Sequence, residues 1–373
     1  MRASKHTLRP LKLPMSSGLL VVFIAASLGA CNGASHSLGT SCLPSGTERE
    51  LQAAIDTQER VLLCPRAVIT LSAAVVLRQG LTLETAQRPL VAADLATLLV
   101  SPTFVGDDPL VSSGSNIEIA HVRIDGNRRA IGPRPEMALV RLGPGNDYDV
   151  TDSVFTDVPG WSHLHLLQRC QRARIANNVV ESADRPHGMN NTDGFSVSCQ
   201  DTIIENNRIN DISGVGIVYF GGPGTQIRNN VITQSTTSAS SGINVGDAVV
   251  VDHTGVVIEN NRIVTTGTRY FHIGIAAGLH PWTMRMDRDI RGVTVRNNVI
   301  SGRFRYGLAV DGCIDCVLEG NQILDFRPLA PAPACPAAAP YVANVANAHA
   351  GGSLQPGYVD AVLDGCLGPP IPE

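Results

Sequence analysis

Ile204-Glu205-Asn206-Asn207-Arg208-Ile209 is a phrase that returns on both sides of itself. Close copies are Ile175-Ala176-Asn177-Asn178-Val179-Val180, Ile227-Arg228-Asn229-Asn230-Val231-Ile232, Ile258-Glu259-Asn260-Asn261-Arg262-Ile263 and Val295-Arg296-Asn297-Asn298-Val299-Ile300. Weaker copies run through His121-Val122, Asp152-Ser153 and Gly320-Asn321, which makes eight. The second middle residue falls at 122, 153, 178, 207, 230, 261, 298 and 321, so the steps are 23 to 37 residues. Each phrase sets an apolar residue on either side of a pair suited to turn or left-handed backbone, which bends one short strand into the next. Upstream of most phrases a second strand opens on glycine: Gly194, Gly216, Gly242, Gly274 and Gly307.

Periods of this size mark a solenoid. Two or three short strands per turn, stacked on near-identical neighbours, give an all-β parallel β-helix of about ten coils, each rising about 4.8 Å. Over roughly residues 60 to 326 the phrases resemble the repeats of right-handed parallel β-helix proteins, the pectate-lyase-like superfamily. That resemblance implies the fold and leaves the function open, since the superfamily holds lyases, hydrolases, epimerases, phage spikes and proteins without known activity. The Asn pairs read as structural ladders stacked inside a turn.

Residues 1–30 carry Arg2, Lys5, Arg9 and Lys12 and no acid, then an apolar run from Gly18 to Ala26 too short for a permanent bilayer span. Leu28-Gly29-Ala30-Cys31 resembles the bacterial lipobox, which implies lipidation of Cys31 and, with Asn32 following, the outer membrane. Residues 31–46 read as a tether to that lipid anchor. Removing the leader leaves 25 Lys and Arg against 33 Asp and Glu, a net charge of −8 that argues against nucleic acid as partner. No lysine follows Lys12, which excludes a Schiff-base or lysine general-base mechanism in the mature chain.

Eight cysteines remain, an even number that reads as disulfides in an exported chain. Cys42 with Cys64 and Cys170 with Cys199 are the expected pairs, the latter from adjacent coils. Cys313-Ile314-Asp315-Cys316 has the spacing of a redox or zinc motif, but the matching histidines and second pair are missing. No cofactor is expected, and no motif marks a Ca2+ site. Thr47 with Glu50 forms a capping box for a helix whose Leu51, Ala54 and Ile55 would cover the open end of the solenoid. One domain is expected over residues 47–326, followed by a Pro- and Ala-rich cap over 327–373.

Equal offsets from the glycine strands define the outward columns. One column should hold Arg141, His165, Ser196, Val218, Asn244, Ala276 and Ala309. Polar members cluster early: Arg141, His165 and Ser196 come from three consecutive coils, with Trp161, His163 and Asp193 beside them. Asn191-Thr192-Asp193-Gly194-Phe195 resembles the first catalytic motif of the polygalacturonase family, which implies a part in hydrolysis for Asp193; Asp193 equally suits a turn. That family's Asp pair one coil later is absent, the equivalent stretch being Ser213-Gly214-Val215-Gly216-Ile217. Trp161 and Trp282, the only tryptophans, sit in charged loops where they would stack on sugar rings or plug the loop onto the barrel.

The expected function is binding, and cleavage, of a polysaccharide or oligosaccharide in an exposed groove on this face. In a lyase route Arg141 neutralises a uronate carboxylate while His165 or His163 takes the adjacent proton. In a hydrolase route Asp193 pairs with Glu136, Asp157 or Asp184. Glu136, Ser196, Trp161 and Trp282 would contact substrate. A non-catalytic adhesin or scaffold with a carbohydrate-binding face is the alternative.

Overall fold

The structure, a computed structural model, describes residues 42–181, 192–246, 252–278, 290–310 and 313–329. The leader, Cys31, most of the tether, Asp184, His187, Trp282, Cys335 and Cys366 lie outside the described residues.

Apolar residues at both ends of each phrase point inward and stack. Ile204, Ile227 and Ile258 form one buried row; Ile209, Ile232, Ile263 and Ile300 form another. The first halves of the phrases build a ten-stranded sheet, and the second halves with the glycine strands build a seventeen-stranded one. Among the described residues the strand pairings are parallel, and those of the repeated phrases stay in direct register, as in Ile204 opposite Ile227 and Ile227 opposite Ile258.

The turn between the two halves has one conformation throughout. The first middle residue has positive φ in all eight phrases: His121, Asp152, Asn177, Asn206, Asn229, Asn260, Asn297 and Gly320. Asparagine tolerates this left-handed region better than most residues. The second middle residue points inward and builds a ladder. Asn207 Oδ1 accepts the backbone N–H of Asn178 at 2.9 Å and its side-chain amide at 3.1 Å, while Asn207 Nδ2 donates to the Ile175 carbonyl at 2.9 Å. The pattern repeats through Asn230, Asn261, Asn298 and Asn321. These amides are buried and satisfied, which makes them structural, as the repeat implied.

The glycine at the head of each later strand has a packing cause. A Cβ on Gly216 would stand 2.5 Å from the Gly242 carbonyl and 2.9 Å from the Ile232 side chain, so at this position a larger residue would clash with the next coil.

The helix forms over Glu48–Thr57, with the Thr47 N–H donating to Glu50 Oε2 at 2.6 Å and Leu51 and Ile55 fully buried. Gln52 donates to the Val76 carbonyl and accepts the Val76 N–H, satisfying an edge of the first coil. Both expected disulfides are present, and Cys313 pairs with Cys316. Cys170 opens a strand of the ten-stranded sheet, Cys170–Ala176, and the disulfide joins it to the adjacent coil, as expected.

On the outside of the ten-stranded sheet, consecutive coils place Glu205, Arg228, Glu259, Arg296 and Glu319 in one column. Their signs alternate. Arg228 meets Glu205 at 2.9 Å and Arg296 meets Glu259 at 2.7 Å.

Candidate functional site

The strands Ala138–Leu142, Ser162–Leu166 and Asp193–Val197 lie side by side, with Arg141 opposite His165 and His165 opposite Ser196. The column continues through Val218, Asn244, Ala276 and Ala309. The register read from glycine offsets therefore holds over seven coils, and Leu164 and Leu166 on either side of His165 fill the core.

Depth along the column is uneven. Arg141 and His165 are half-buried, while Ser196 and every later member are fully buried. All residues of Asp193–Val197, Val215–Tyr219, Ala239–Val245 and Phe271–Ala277 are buried. This corrects the expectation of an exposed groove with Ser196 and Asp193 on its floor; the accessible polar row is confined to the Arg141 and His165 coils.

Asp193 is occupied by its own fold. Its Oδ1 accepts the Val215 N–H from the next coil at 2.8 Å, and its Oδ2 accepts the Ser196 hydroxyl at 3.1 Å. Burial outweighs both hydrogen bonds and pushes the carboxyl up to about 7. Ser196 Oγ also lies 3.0 Å from Ser162 Oγ. The substrate-contact role expected of Ser196 is thus replaced by a buried hydroxyl pair that steadies Asp193.

His163 is corrected for the same reason. Its ring is wholly buried with Nδ1 2.8 Å from the Asp193 carbonyl, and burial pulls its pKa down to about 4. It stands where the next coil has Gly194, at the bend. His165 keeps partial access. Trp161 meets its ring edge-on at 4.6 Å, and burial, with Arg141 adding a smaller push, lowers its pKa to about 4. The imidazole is therefore neutral across the physiological range, with a nitrogen lone pair free of a proton. Trp161 in turn donates its indole N–H to the Glu136 carbonyl at 3.2 Å, so this tryptophan is pinned to a loop and leans on His165. The Glu136 carboxylate is exposed.

Asp108 completes the group and was not foreseen. It accepts the Ala138 N–H at 2.7 Å and meets Arg141 Nε at 2.5 Å, with its side chain buried and its pKa raised by desolvation. Leu110 pairs with Val140, so Asp108 occupies the same column as Asp193 and holds the next coil in the same way. The signal was available at equal offset, but the strand Ala96–Ser112 shows no leading glycine and its pairing with Val68–Val76 shifts register twice. A notch of about 230 Å³ lies beside Arg141, lined by Val76, Val111, Ser112, Ser113 and Gly143.

Asp108 and Asp193 are separated by three coil steps, about 14 Å at about 4.8 Å per step. Inverting glycosidases place their carboxyls about 6.5–9.5 Å apart and retaining ones closer. The two buried acids do not form such a pair. Among the described residues no three His, Cys, Asp or Glu side chains converge as a metal site would require.

A family model described as right handed beta helix region matches residues 139–323. Among solved structures, the mannuronan C-5 epimerase AlgE6 A-module of Azotobacter vinelandii is similar at 18% identity and a TM-score of 0.52, over 76% of this chain and 73% of that one. The polygalacturonase of Erwinia carotovora ssp. carotovora is similar at 11% identity and a TM-score of 0.50, over 79% and 97%. At these identities the likeness is one of fold, a right-handed parallel β-helix. No curated protein sequence matches.

Proposed function

We propose that this right-handed parallel β-helix protein binds an acidic polysaccharide beside its Arg141 and His165 coils and cleaves it by β-elimination. The observation that carries the reading is the register pair itself: a half-exposed Arg141 directly opposite a half-exposed, neutral His165, with Trp161 edge-on to the imidazole. Arg141 would lend its charge to a uronate carboxylate by exchanging part of its contact with Asp108. His165 would then take the proton next to that carboxylate, the electron pair left behind would form the ring double bond as the glycosidic carbon–oxygen bond breaks, and the departing oxygen would take a proton from water. Polysaccharide chemistry also appears in the names of the similar proteins, one a mannuronan epimerase and one a polygalacturonase.

The elimination reading is preferred to hydrolysis because both oxygens of Asp193 are taken up by Val215 and Ser196, and Asp108, the other buried acid of its column, lies three coil steps away. Incubation of the full chain with alginate, polygalacturonate and neutral glycans tests it. Unsaturated uronate products are expected from an acidic glycan, and the activity should persist down to about pH 4 to 5, following the lowered pKa of His165. New reducing ends without unsaturation would replace elimination by hydrolysis. Binding without either product would leave the adhesin or scaffold reading, which the covered later strands favour.

For location, we propose an envelope lipoprotein anchored at Cys31 after cleavage behind Ala30. Cys31→Ala should abolish lipid labelling and membrane partition; a variant still extracted with membranes would overturn the anchor.

A further inference from the structure

Far from Arg141, the same face holds polar atoms that the fold leaves unpaired. Ser240 and His272 precede the paired residues Ser241 and Ile273, and Arg305 precedes Tyr306, the partner of Ile273. Ser240, His272 and Arg305 are therefore stacked in three consecutive coils. Ser240 Oγ, both ring nitrogens of His272 and Arg305 Nε are all buried without a hydrogen-bond partner. His272 is 4% exposed and Ser240 is fully buried, while Arg305 is half-buried. Among the described residues no carboxylate pairs with Arg305.

Each buried polar atom without a partner has lost its water without replacing it, and that destabilises the fold. Four of them in one place ask for an occupant that can accept several hydrogen bonds. The inventory selects its chemistry. Arginine Nε and the serine hydroxyl donate, and a neutral imidazole donates from one nitrogen. The cation supplies a positive field that burial and Arg305 together express by pulling His272 down to about 4. Tyr270 meets the His272 ring edge-on at 5.4 Å and fixes its plane. A carboxylate satisfies the three donors of this set: it brings the missing charge and accepts from Arg305 Nε, the Ser240 hydroxyl and the one protonated nitrogen of His272.

We propose that Ser240, His272 and Arg305 form a carboxylate subsite that takes an acid group of the same polysaccharide, well along the face from Arg141. The separation follows from the register: Val140, Leu164, Phe195, Ile217, Ile243, Ile275 and Leu308 are successive partners, six coil steps or about 29 Å at about 4.8 Å each. The proposal rests on the acidic-polysaccharide reading and deepens it. A long chain would engage both arginines, and a disaccharide only one, so the gain with length is an effective-concentration effect.

The test is calorimetric titration of the full chain with uronate oligosaccharides of two and of ten sugars. The wild type should bind the long chain at least tenfold tighter than the short one. Arg305→Gln should erase that gap without changing the melting temperature by more than a few degrees, and Arg305→Lys should restore part of it. Equal affinity of wild type and Arg305→Gln for the long chain would overturn the subsite.

If the wild type binds neither oligosaccharide, the polysaccharide reading fails, and the subsite is judged alone by nitrogen NMR of the His272 ring. Monomeric galacturonate should move those resonances in the wild type and not in Arg305→Gln. No movement would mean that ordered water fills the seam, and movement with inorganic phosphate alone would make it a phosphate site; either result overturns the carboxylate assignment.

Discussion

The two sheets of this solenoid treat charge in opposite ways. Outside the ten-stranded sheet, Glu205, Arg228, Glu259, Arg296 and Glu319 alternate in sign along one column, with ion pairs at Glu205–Arg228 and Glu259–Arg296, and nearer the N-terminus Glu84 meets Arg60 and Arg88 while Arg88 also meets Glu118. Along the glycine strands, polar side chains turn outward and are then buried, some satisfied by the fold and others by nothing. Ser196 and Asp193 belong to the first kind; Asn244, His272 and Ser240 belong to the second. The difference teaches where a repeat fold spends its freedom. One sheet is closed on itself, and the other carries a cost that a bound molecule can remove.

The contrast breaks first if core and site effects fail to separate. Ile227→Ala removes a fully buried row member of the closed sheet and should cost roughly 2–5 kcal/mol of stability in denaturant melts, with the activity of the surviving folded fraction unchanged. His165→Ala should do the reverse, lowering the rate of unsaturated product formation about a hundredfold or more while the melting temperature moves little. A comparable loss of folding in both would remove the distinction.

Asp193 sharpens it. Its expected exposure is replaced by burial, so truncation to alanine should now destabilise the fold as well as disturb the site. The pH dependence carries a definite sign. The folded carboxyl titrates near 7 and the unfolded one near 4, so wild-type stability declines as pH rises through that window. Asp193→Asn can still accept the Val215 N–H and does not titrate. Its melting temperature should therefore gain on the wild type between pH 4 and 7; a constant difference would deny the raised pKa. The smallest effect belongs to the paired face: Arg228→Ala, partly exposed, should cost at most about 1 kcal/mol, and less in high salt.

The fold and the lateral arrangement of the site were legible because a parallel ladder turns equal sequence offsets into spatial neighbours. Arg141, His165 and Ser196 could be placed side by side from glycine spacing alone. Depth was not legible. Offset says which way a side chain points and nothing about what covers it, so His163 and Ser196 read as surface residues and proved buried. Asp108 escaped because its long strand slips register against the preceding one. The buried seam at His272 escaped because missing partners leave no trace in a sequence.

The alternating column outside the ten-stranded sheet also works as a parity check on assembly. In a chain of near-identical repeats, the easiest error is to skip a coil, since every isoleucine and asparagine would find an equivalent seat. A slip of one coil would set Glu205 beside Glu259 and Arg228 beside Arg296, turning each attraction into a repulsion. The apolar rows cannot detect that error, because they read the same in either register. The charges can, and what they add to this fold is discrimination against the wrong stack more than stability of the right one.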